Sequence, residues 1–298
     1  MRLGCCLVSS DLNPLYLDFF PIVRRVWVDL MGVPLKLALV SDRLPLSLND
    51  AADDVILFPP IRGVKTTFQA QCLRLLLPAL MDNQSRGDAV LISDIDMIPM
   101  SRGYYLDSIA ELADSSFVVF RNKTPTIDPH QIAICYNAAT LATWNALLGG
   151  IAGIGAVRER LEEWARDQNA YADGRHGGTE WFADQRILFD LVTQWKQGTG
   201  RSRVVLLDDK KSGFRRLDRM DLISSGELSK SQARDISDHN FTDYHMLRPL
   251  ARYREINHQI VSMLLGERTP QAIKWRCSLF YALLPWRRWF GRFISQLR

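Results

Sequence analysis

Hydrophobic positions along the chain follow two patterns, and their alternation predicts the architecture. Short, continuous apolar runs are typical of strands buried on both faces of a sheet. Apolar residues spaced three or four positions apart are typical of helices with one buried face. Together they predict an α/β fold, in which a mostly parallel sheet is flanked by helices. Apolar runs occupy residues 3–9, 34–40, 54–58 and 89–93, and helical spacing occupies residues 13–31 and 66–81.

The second half of the chain gives a less regular pattern. Helices are predicted to dominate from about residue 138 to 196, and a further helix is predicted over 250–265. The charged segment 208–243 is predicted to be irregular, because its apolar residues are few and follow no clear period. Three more strands are predicted at residues 117–120, 131–136 and 203–207.

Two aspartates, Asp94 and Asp96, directly follow the apolar run 89–93. In open α/β sheets, ligands bind beyond the carboxyl ends of the strands. Two carboxylates in such a place suit Mn²⁺ or Mg²⁺, because these cations prefer oxygen ligands and complete their shell with water and phosphate. The spacing D-x-D also fits an acidic loop without a ligand, so the surrounding sequence has to decide between the two.

The residues around the acidic pair extend the motif. The segment R-L-L-L-P-A-L begins at Arg74, and V-L-I-S-D-I-D-M-I-P contains both aspartates. Together they resemble the GT-A glycosyltransferases of the glycogenin and lipopolysaccharide galactosyltransferase type, over about residues 1–250. The resemblance implies a Rossmann-like GT-A fold and transfer of a sugar from a UDP- or GDP-linked donor to a glycan or lipid-linked acceptor. It also implies Mn²⁺ or Mg²⁺ as the cofactor.

The same resemblance implies a set of donor-binding residues. Arg74 would lie near the donor, and Lys65 and Thr67 would contact its phosphate or sugar. Asp94 would face the donor as well as the metal. The segment I-C-Y-N-A-A resembles the family's strand that ends in Asn at the donor sugar, which places Asn137 there.

A late histidine completes the metal site that the resemblance implies. The segment Y-H-M-L-R-P offers His245 as a third ligand beside Asp94 and Asp96, and Arg248 stands where the family has a lysine. A single histidine is also compatible with a partly buried hydrogen-bonding role, and His239 is the competing candidate for the metal.

Two further residues are implied at the sugar and the acceptor. The segment W-F-A-D-Q-R-I-L resembles the family's D-Q motif and points to Asp184 and Gln185 as catalytic residues. Asp184 is a candidate general base for an acceptor hydroxyl, as an inverting enzyme requires. The alternative is a carboxylate that the helix dipole favours at a helix N-terminus, and Glu180 competes for the catalytic role. Retention and inversion of stereochemistry both stay open.

Position alone adds candidates at the nucleotide. Ser9, Ser10 and Asp11 follow the first strand, where GT-A folds hold the base and ribose. A basic cluster later in the chain is predicted to be mostly a solvated loop, from which one side chain reaches a diphosphate. The cluster consists of Lys210, Lys211, Arg215, Arg216 and Arg219.

Charge and cysteine usage narrow the partners and the compartment. The net charge is +4, but residues 274–298 contain six basic and no acidic residues, so the rest of the chain is slightly acidic. Bulk charge therefore gives no reason to expect nucleic-acid binding. The five cysteines include no C-x-x-C pair, which favours a reducing cytosol over a zinc or disulfide framework. No signal peptide and no apolar segment of spanning length are expected.

The last thirty residues are predicted to form an appendage, 269–298, on a transferase domain of residues 1–268. The segment combines three Trp, three Phe and a Tyr with arginines at helical intervals. Such a basic aromatic stretch fits a membrane interface with anionic lipid, at the inner face of a membrane. It equally fits a helix packed on the domain or on a second subunit, with extended arginine stems.

Two other functions are compatible with parts of the sequence. A phosphohydrolase of the haloacid-dehalogenase type would use Asp94 as the nucleophile and Asp96 as the acid/base, with Asp208 and Asp209 as its later acidic pair. A non-catalytic module that binds a nucleotide-sugar is the third interpretation, because a fold does not fix a function.

Overall fold

A computed structural model of the chain describes residues 1–81, 88–121, 129–168, 182–199, 203–207 and 213–266. Its larger sheet consists of β1 (Arg2–Ser10), β2 (Leu35–Val40), β3 (Val55–Phe58), β4 (Asp88–Ile92), β6 (Ser116–Val119), β7 (Asn137–Thr140) and β8 (Arg203–Leu206). Its smaller sheet consists of β5 (Met97–Pro99), β9 (Arg215–Leu217) and β10 (Phe241–His245).

The larger sheet has seven strands in the order β3-β2-β1-β4-β7-β6-β8. Strand β1 pairs in parallel with β2 and with β4, and β2 pairs in parallel with β3. Strand β7 runs antiparallel to both of its neighbours, β4 and β6, whereas β6 and β8 are again parallel. The mostly parallel α/β sheet predicted from the sequence is confirmed.

Helices cover both faces of this sheet and define two hydrophobic clusters. Strand β1 alternates between them, because Cys6 and Val8 face one cluster and Leu7 faces the other. The α-helices are α1 (Pro14–Leu17), α2 (Phe20–Val26), α3 (Thr66–Leu76), α4 (Ser108–Ala110), α5 (Leu141–Leu147), α6 (Ile154–Asp167), α7 (Ala183–Thr199), α8 (Arg219–Ser225), α9 (Lys230–Ser237) and α10 (Arg254–Leu264). Turns of π-helix cover Trp27–Met31 and Gly103–Asp107, and 3₁₀ segments cover Leu46–Asp54 and Leu77–Leu80.

Helix α3 carries one wall of the site and follows its predicted pattern closely. Phe68, Cys72 and Leu75 are buried against the sheet, at the spacing that predicts the helix. The regular α-helix ends at Leu76, earlier than the predicted residue 81. Pro78 has no N–H to continue the hydrogen-bond ladder, and the chain passes into a 3₁₀ turn there.

The sequence predicts an irregular segment over 208–243, and the structure shows this prediction to be wrong for the described part. Residues from 213 onward form β9, α8, α9 and the start of β10. Helix α9 begins with a capping box, in which Ser229 and Gln232 each bond the other's backbone. A few buried side chains anchor the segment, among them Leu222 and Ile236. Short elements with one or two anchors leave too little periodicity for the sequence pattern to detect.

The strand predicted at residues 131–136 is also misplaced. The observed strand, β7, begins at Asn137, and the preceding apolar residues lie in a buried loop. Tyr136 has a φ of 63°, which interrupts an extended backbone, while its N–H donates to the carbonyl of Ile92. The apolar run therefore indicated burial correctly and strand geometry wrongly.

Several predictions fall on residues outside the described ranges. These are the appendage 269–298, Glu180, the Asp208–Asp209 pair, Lys210 and Lys211. Within the described part of the chain, none of the helices combines the length and the apolar character that crossing a membrane requires.

Candidate functional site

A pocket of about 270 Å³ opens at the carboxyl ends of β1 and β4, where the sequence predicts a ligand site. Its wall comes from the loop after β1, helix α3, the loop after β4, the start of α7 and the segment after β10. Most of the residues predicted for the site meet there, although they are scattered along the chain. The predicted residues that line the pocket are Ser9, Ser10, Asp11, Thr67, Arg74, Asp94, Asp96, Asp184, Gln185, Arg219 and His245.

Arg74 connects two carboxylates at the floor of the pocket. Its Nη1 donates to Oδ1 of Asp94 and to the carbonyl of Ser93, and its Nη2 donates to Oδ2 of Asp184 at 2.7 Å. Burial lowers the pKa of Arg74, but the charges of Asp94 and Asp184 outweigh it and raise the pKa above its usual value. The guanidinium is therefore a fixed positive charge that orients both acids.

Asp184 lies in the first turn of α7 and is almost completely buried. Burial raises its pKa, and the opposing effect of Arg74 does not cancel this rise. Its Oδ1 accepts the N–H of Gln185 at 2.9 Å, and its Oδ2 accepts from Arg74. Each carboxylate oxygen has two acceptor positions, so one is left on each for a further proton donor.

Asp96 is the most enclosed of the pocket's acids after Asp184. Its Oδ2 lies 2.9 Å from Nε2 of His245 and 3.3 Å from Nε of Arg248. Because a carboxylate only accepts hydrogen bonds, Nε2 of His245 carries the hydrogen. Burial raises the pKa of Asp96, but the effects of His245 and then Arg248 exceed it, so the pKa is lowered and the acid is ionised.

The small sheet is what brings His245 to Asp96. Strand β10 pairs antiparallel with β5, which follows the acidic pair directly, and His245 is in register with Met97. The N–H of Met246 then donates to the carbonyl of Asp96 at 2.8 Å. His239, the competing histidine, lies elsewhere: its Nδ1 is 3.1 Å from the carbonyl of Met100, and it does not line the pocket.

The loop after β1 is fixed to the start of α3 by Asp11. Its Oδ2 accepts the hydroxyl of Thr66 at 2.8 Å, and its Oδ1 accepts the N–H of Asn13 at 3.0 Å. Ser9 and Ser10 are buried at the end of β1 and face the pocket. The edge expected to hold a base and ribose is thus polar and held in place by its own hydrogen bonds.

Two predicted donor residues, Lys65 and Asn137, do not line the pocket. Asn137 is fully buried, and its Nδ2 donates to the carbonyls of Ala133 and Ile134 at 2.7 and 2.9 Å. It thereby shapes the loop from which Ile134 reaches the pocket. Lys65 precedes the first turn of α3. Direct contact of either side chain with the sugar donor stays a prediction, and the positions of these two residues outside the pocket lining do not support it.

The chain is similar to known proteins in its structure, but comparison of its sequence with family models and with curated proteins finds no match. The glycosyltransferase GlyE of Streptococcus pneumoniae TIGR4 is similar at 14% identity and a TM-score of 0.48, over 89% of this chain and 63% of that one. This chain therefore spans less than two thirds of the GlyE structure.

Two further solved structures match at comparable levels. The galactosyltransferase LgtC, in complex with donor and acceptor sugar analogues, matches at 14% identity and a TM-score of 0.41, over 91% of this chain and 98% of that one. A glycosyltransferase involved in glycosylation of the major capsid of PBCV-1 matches at 10% identity and a TM-score of 0.37, over 85% and 98%. No residue role follows from similarities this distant, so the chemistry of the pocket rests on its own side chains.

The candidate metal ligands of the pocket are of chemical types that bind divalent cations. Asp94 and Asp96 offer carboxylate oxygens, which Mn²⁺ and Mg²⁺ prefer, and His245 adds an imidazole nitrogen. Their side chains do not point at one common position, because Asp94 is paired with Arg74 while Asp96 contacts His245. Among the residues described, no three His, Cys, Asp or Glu side chains are grouped closely enough to hold an ion. The predicted metal ligands therefore share one pocket without forming a finished coordination shell.

Two pocket residues were missed or only partly anticipated from the sequence. Tyr16, from α1, lines the pocket and lies under the guanidinium of Arg248, 5.0 Å from the ring centroid. Of the cluster members that the structure describes, Arg219 is the one that lines the pocket. Arg215 and Arg216 instead pair with Asp235 and Asp243. Nothing in the apolar pattern around Tyr16 distinguishes it from a core residue.

Proposed function

We propose that this protein is a metal-dependent glycosyltransferase, which moves a sugar from a nucleotide-diphosphate donor to a glycan or lipid-linked acceptor. One observation carries this function: Asp94, Asp96, Arg74, Asp184 and His245, from four separate segments, converge on one pocket at the carboxyl ends of β1 and β4. Ligand sites of open α/β sheets lie at this edge. The sequence motifs point to the same residues independently of their proximity in space.

The donor would lie with its base and ribose against the loop after β1, near Ser9 and Asp11. Its diphosphate would face the acidic pair and the arginines that line the pocket. In glycosyl transfer the bond from the sugar to the diphosphate breaks, and negative charge develops on the leaving oxygen. Cationic groups held in place before the reaction stabilise that charge most effectively.

Asp94, Asp96 and His245 would hold the cation. A bound Mn²⁺ or Mg²⁺ supplies Lewis-acid stabilisation of the diphosphate leaving group. Arg74 orients Asp94 through an ion pair, and Arg248 lies 3.3 Å from the carboxylate of Asp96. These side chains thus prepare the acidic pair for a positively charged ligand.

Asp184 and Gln185 would face the sugar and the acceptor. The carboxylate of Asp184 has acceptor capacity left after its bonds to Arg74 and Gln185, so it is able to take a proton from an acceptor hydroxyl. The amide of Gln185 would orient the transferred sugar.

A cytoplasmic location, with residues 269–298 at the inner face of a membrane, completes the proposal for a lipid-linked acceptor. Loss of liposome co-sedimentation on truncation at Thr269 would support it.

A thermal-shift experiment tests the donor site. Wild type, Asp96→Ala and the surface control Asp167→Ala would be melted with UDP-, GDP- and CMP-based ligands, each with and without Mn²⁺. A ligand at 100 times its dissociation constant stabilises a protein by about 2.7 kcal/mol, which is visible as a shift of a few degrees. We expect one nucleoside diphosphate to stabilise wild type and Asp167→Ala only with Mn²⁺, and not to stabilise Asp96→Ala.

Two results would contradict the proposal. A melting temperature that no nucleotide changes would remove the nucleotide-sugar donor. A shift that survives in Asp96→Ala would remove the acidic pair from the site. Product formation from the identified nucleotide-sugar, followed by mass spectrometry of candidate acceptors, then separates an enzyme from a module that only binds.

A further inference from the structure

The loop of residues 131–136 joins two sides of the pocket. At one end, the N–H of Tyr136 donates to the carbonyl of Ile92, the last residue of β4, at 2.7 Å. At the other end, the N–H of Ile132 donates to the carbonyl of Gln185, in the first turn of α7, at 3.2 Å. The loop therefore ties the strand that leads to the acidic pair to the helix that carries the candidate general base.

The side chain of Asn137 fixes the middle of this loop. Its Nδ2 donates to the carbonyls of Ala133 and Ile134 at 2.7 and 2.9 Å. Because both neighbours are acceptors, the nitrogen of the amide and not its oxygen faces them. The backbone of Asn137 is held in turn by the sheet, in register with Ile92 of β4 and Val119 of β6. The loop is thus clamped from a residue in the middle of the sheet.

Burial separates Asn137 from the ligand space while the residue that it holds reaches the pocket. Asn137 has no exposed surface, whereas Ile134 lines the pocket and packs in the same hydrophobic cluster as Ala183 and Ile187 of α7. The Oδ1 atom of Asn137 is buried and has no hydrogen-bond partner among the residues that the structure describes. An unpaired buried acceptor lowers stability, so this amide contributes through its two donors.

We infer that Asn137 is a positioning residue for Asp184 and Gln185, which acts through the loop and not through contact with a donor. Its amide holds the loop in the shape that seats Ile134 in the pocket and directs the N–H of Ile132 to α7. A displacement of about 1 Å in a reacting group reduces a rate by up to about 100-fold. The effect on sugar transfer rests on the proposed function, whereas the clamp on the loop does not.

Three variants of the full-length protein test this inference. Asn137→Leu removes both donors at nearly constant volume, and Asn137→Ser keeps a single, shorter donor. Asn145→Leu is the matched control, because Oδ1 of Asn145 accepts the N–H of Ile151 at 2.9 Å and neither residue lines the pocket. Melting curves without ligand identify the variants that fold. Hydrogen exchange of backbone amides then reports on the loop without any need for activity.

The amide of Ile132 is the reporter of the clamp. We expect it to be protected in wild type and to exchange roughly 10- to 30-fold faster in Asn137→Leu, the factor that corresponds to the loss of two hydrogen bonds. Asn137→Ser should lie between the two, and Asn145→Leu should match wild type. An unprotected Ile132 in wild type would overturn the inference, as would unchanged exchange in whichever Asn137 variants fold.

Steady-state kinetics separates positioning from direct contact. We expect kcat to fall about 10- to 100-fold in Asn137→Leu, while KM for the nucleotide-sugar stays at the wild-type value. A raised KM with a normal kcat would assign Asn137 to the donor and overturn the inference. A normal kcat despite faster exchange at Ile132 would remove the positioning role and leave the proposed function intact. If exchange depends on Asn137 but wild type transfers no sugar, the clamp stands and the proposed function fails.

Discussion

Nε2 of His245 lies 2.9 Å from Oδ2 of Asp96, although 149 residues separate the two in the chain. The contact depends on the small sheet, in which β10 returns alongside β5 and places His245 next to the acidic pair. The segment after β10 also carries Arg248 to the same carboxylate. One strand pairing thus brings His245 and Arg248 to Asp96, and the groups that hold this segment in place are open to test.

Asn257 is expected to be the main polar support of that segment. Its Oδ1 accepts from Tyr244 Oη at 2.7 Å and from the N–H of Leu247 at 3.2 Å, and its Nδ2 donates to the carbonyl of Leu247 at 3.1 Å. Asn257→Leu leaves these buried groups unsatisfied, so the free energy of unfolding should fall by about 3 kcal/mol in urea denaturation. Tyr244→Phe, which removes one donor, should cost about 1 kcal/mol. Unchanged urea midpoints would show that water replaces the amide.

Arg74 should be the most costly charged residue to remove. Arg74→Met leaves Asp94 and the buried Asp184 without their shared cation, and breaking a buried pair in this way typically costs about 3 kcal/mol or more. Arg25→Met is the matched control, because Arg25 makes an exposed ion pair with Asp29 and should cost less than about 1 kcal/mol. Equal losses in chemical denaturation would mean that Arg74 has no special structural weight.

Asp184→Asn separates a catalytic role from a supporting one. Asn keeps an oxygen that accepts from Arg74 but is too weak a base to take a proton from a hydroxyl. If Asp184 is the general base, kcat should fall by about 10²- to 10⁴-fold while the nucleotide-induced thermal shift remains. Asp190→Asn, exposed on the same helix, should leave both unchanged. A normal kcat in Asp184→Asn would leave Asp184 with the sole task of orienting Arg74.

The carboxylate of Asp54, at the edge of the larger sheet next to β3, should make the free energy of unfolding depend on pH in the acid range. Burial raises its pKa, but hydrogen bonds and charges from Lys36 and Arg24 exceed that effect and lower the pKa below its usual value. The carboxylate therefore stabilises the folded state at pH values above its unfolded pKa, and this stabilisation is lost as the pH falls through the folded pKa. Wild type should exceed Asp54→Asn by up to about 1 kcal/mol at pH 7.

That difference should be constant down to about pH 5 and shrink below about pH 4, where the carboxylate begins to protonate. Urea denaturation at several pH values measures it, with the exposed neighbour Asp53→Asn as the control. A difference that grows as the pH falls would contradict the assigned direction of the pKa shift.

The sequence predicted the structure correctly where a pattern of residues is compatible with only one kind of element. The buried strands β1, β2 and β4 were located within one or two residues, because apolar runs of that length are too short for a buried helix and too apolar for an exposed loop. Asp94 and Asp96 were found because their D-x-D spacing directly follows such a run. The apolar residues before Asn137 misled, since burial in a loop and burial in a strand look alike in a single sequence.

The remaining parts of the pocket depend on contacts that sequence order does not reveal. Strand β5 has three residues, and its partner β10 lies far along the chain, so neither shows a period that predicts their pairing. Arg219 could be identified as one of a cluster, but only its position relative to Arg248 separates it from Arg215 and Arg216. The sequence around Tyr16 does not mark it as a pocket residue, because its contact is with the side chain of Arg248, which lies far along the chain.

The distance along the chain between Asp96 and His245 also has a consequence for biosynthesis. At a translation rate of about 5–20 residues per second, roughly 7–30 s pass between the synthesis of the two residues. During that interval the nascent chain already contains the first four strands of the sheet and the acidic pair, but not the histidine and arginine that enclose Asp96. The groups that enclose Asp96 are therefore synthesised after all seven strands of the larger sheet.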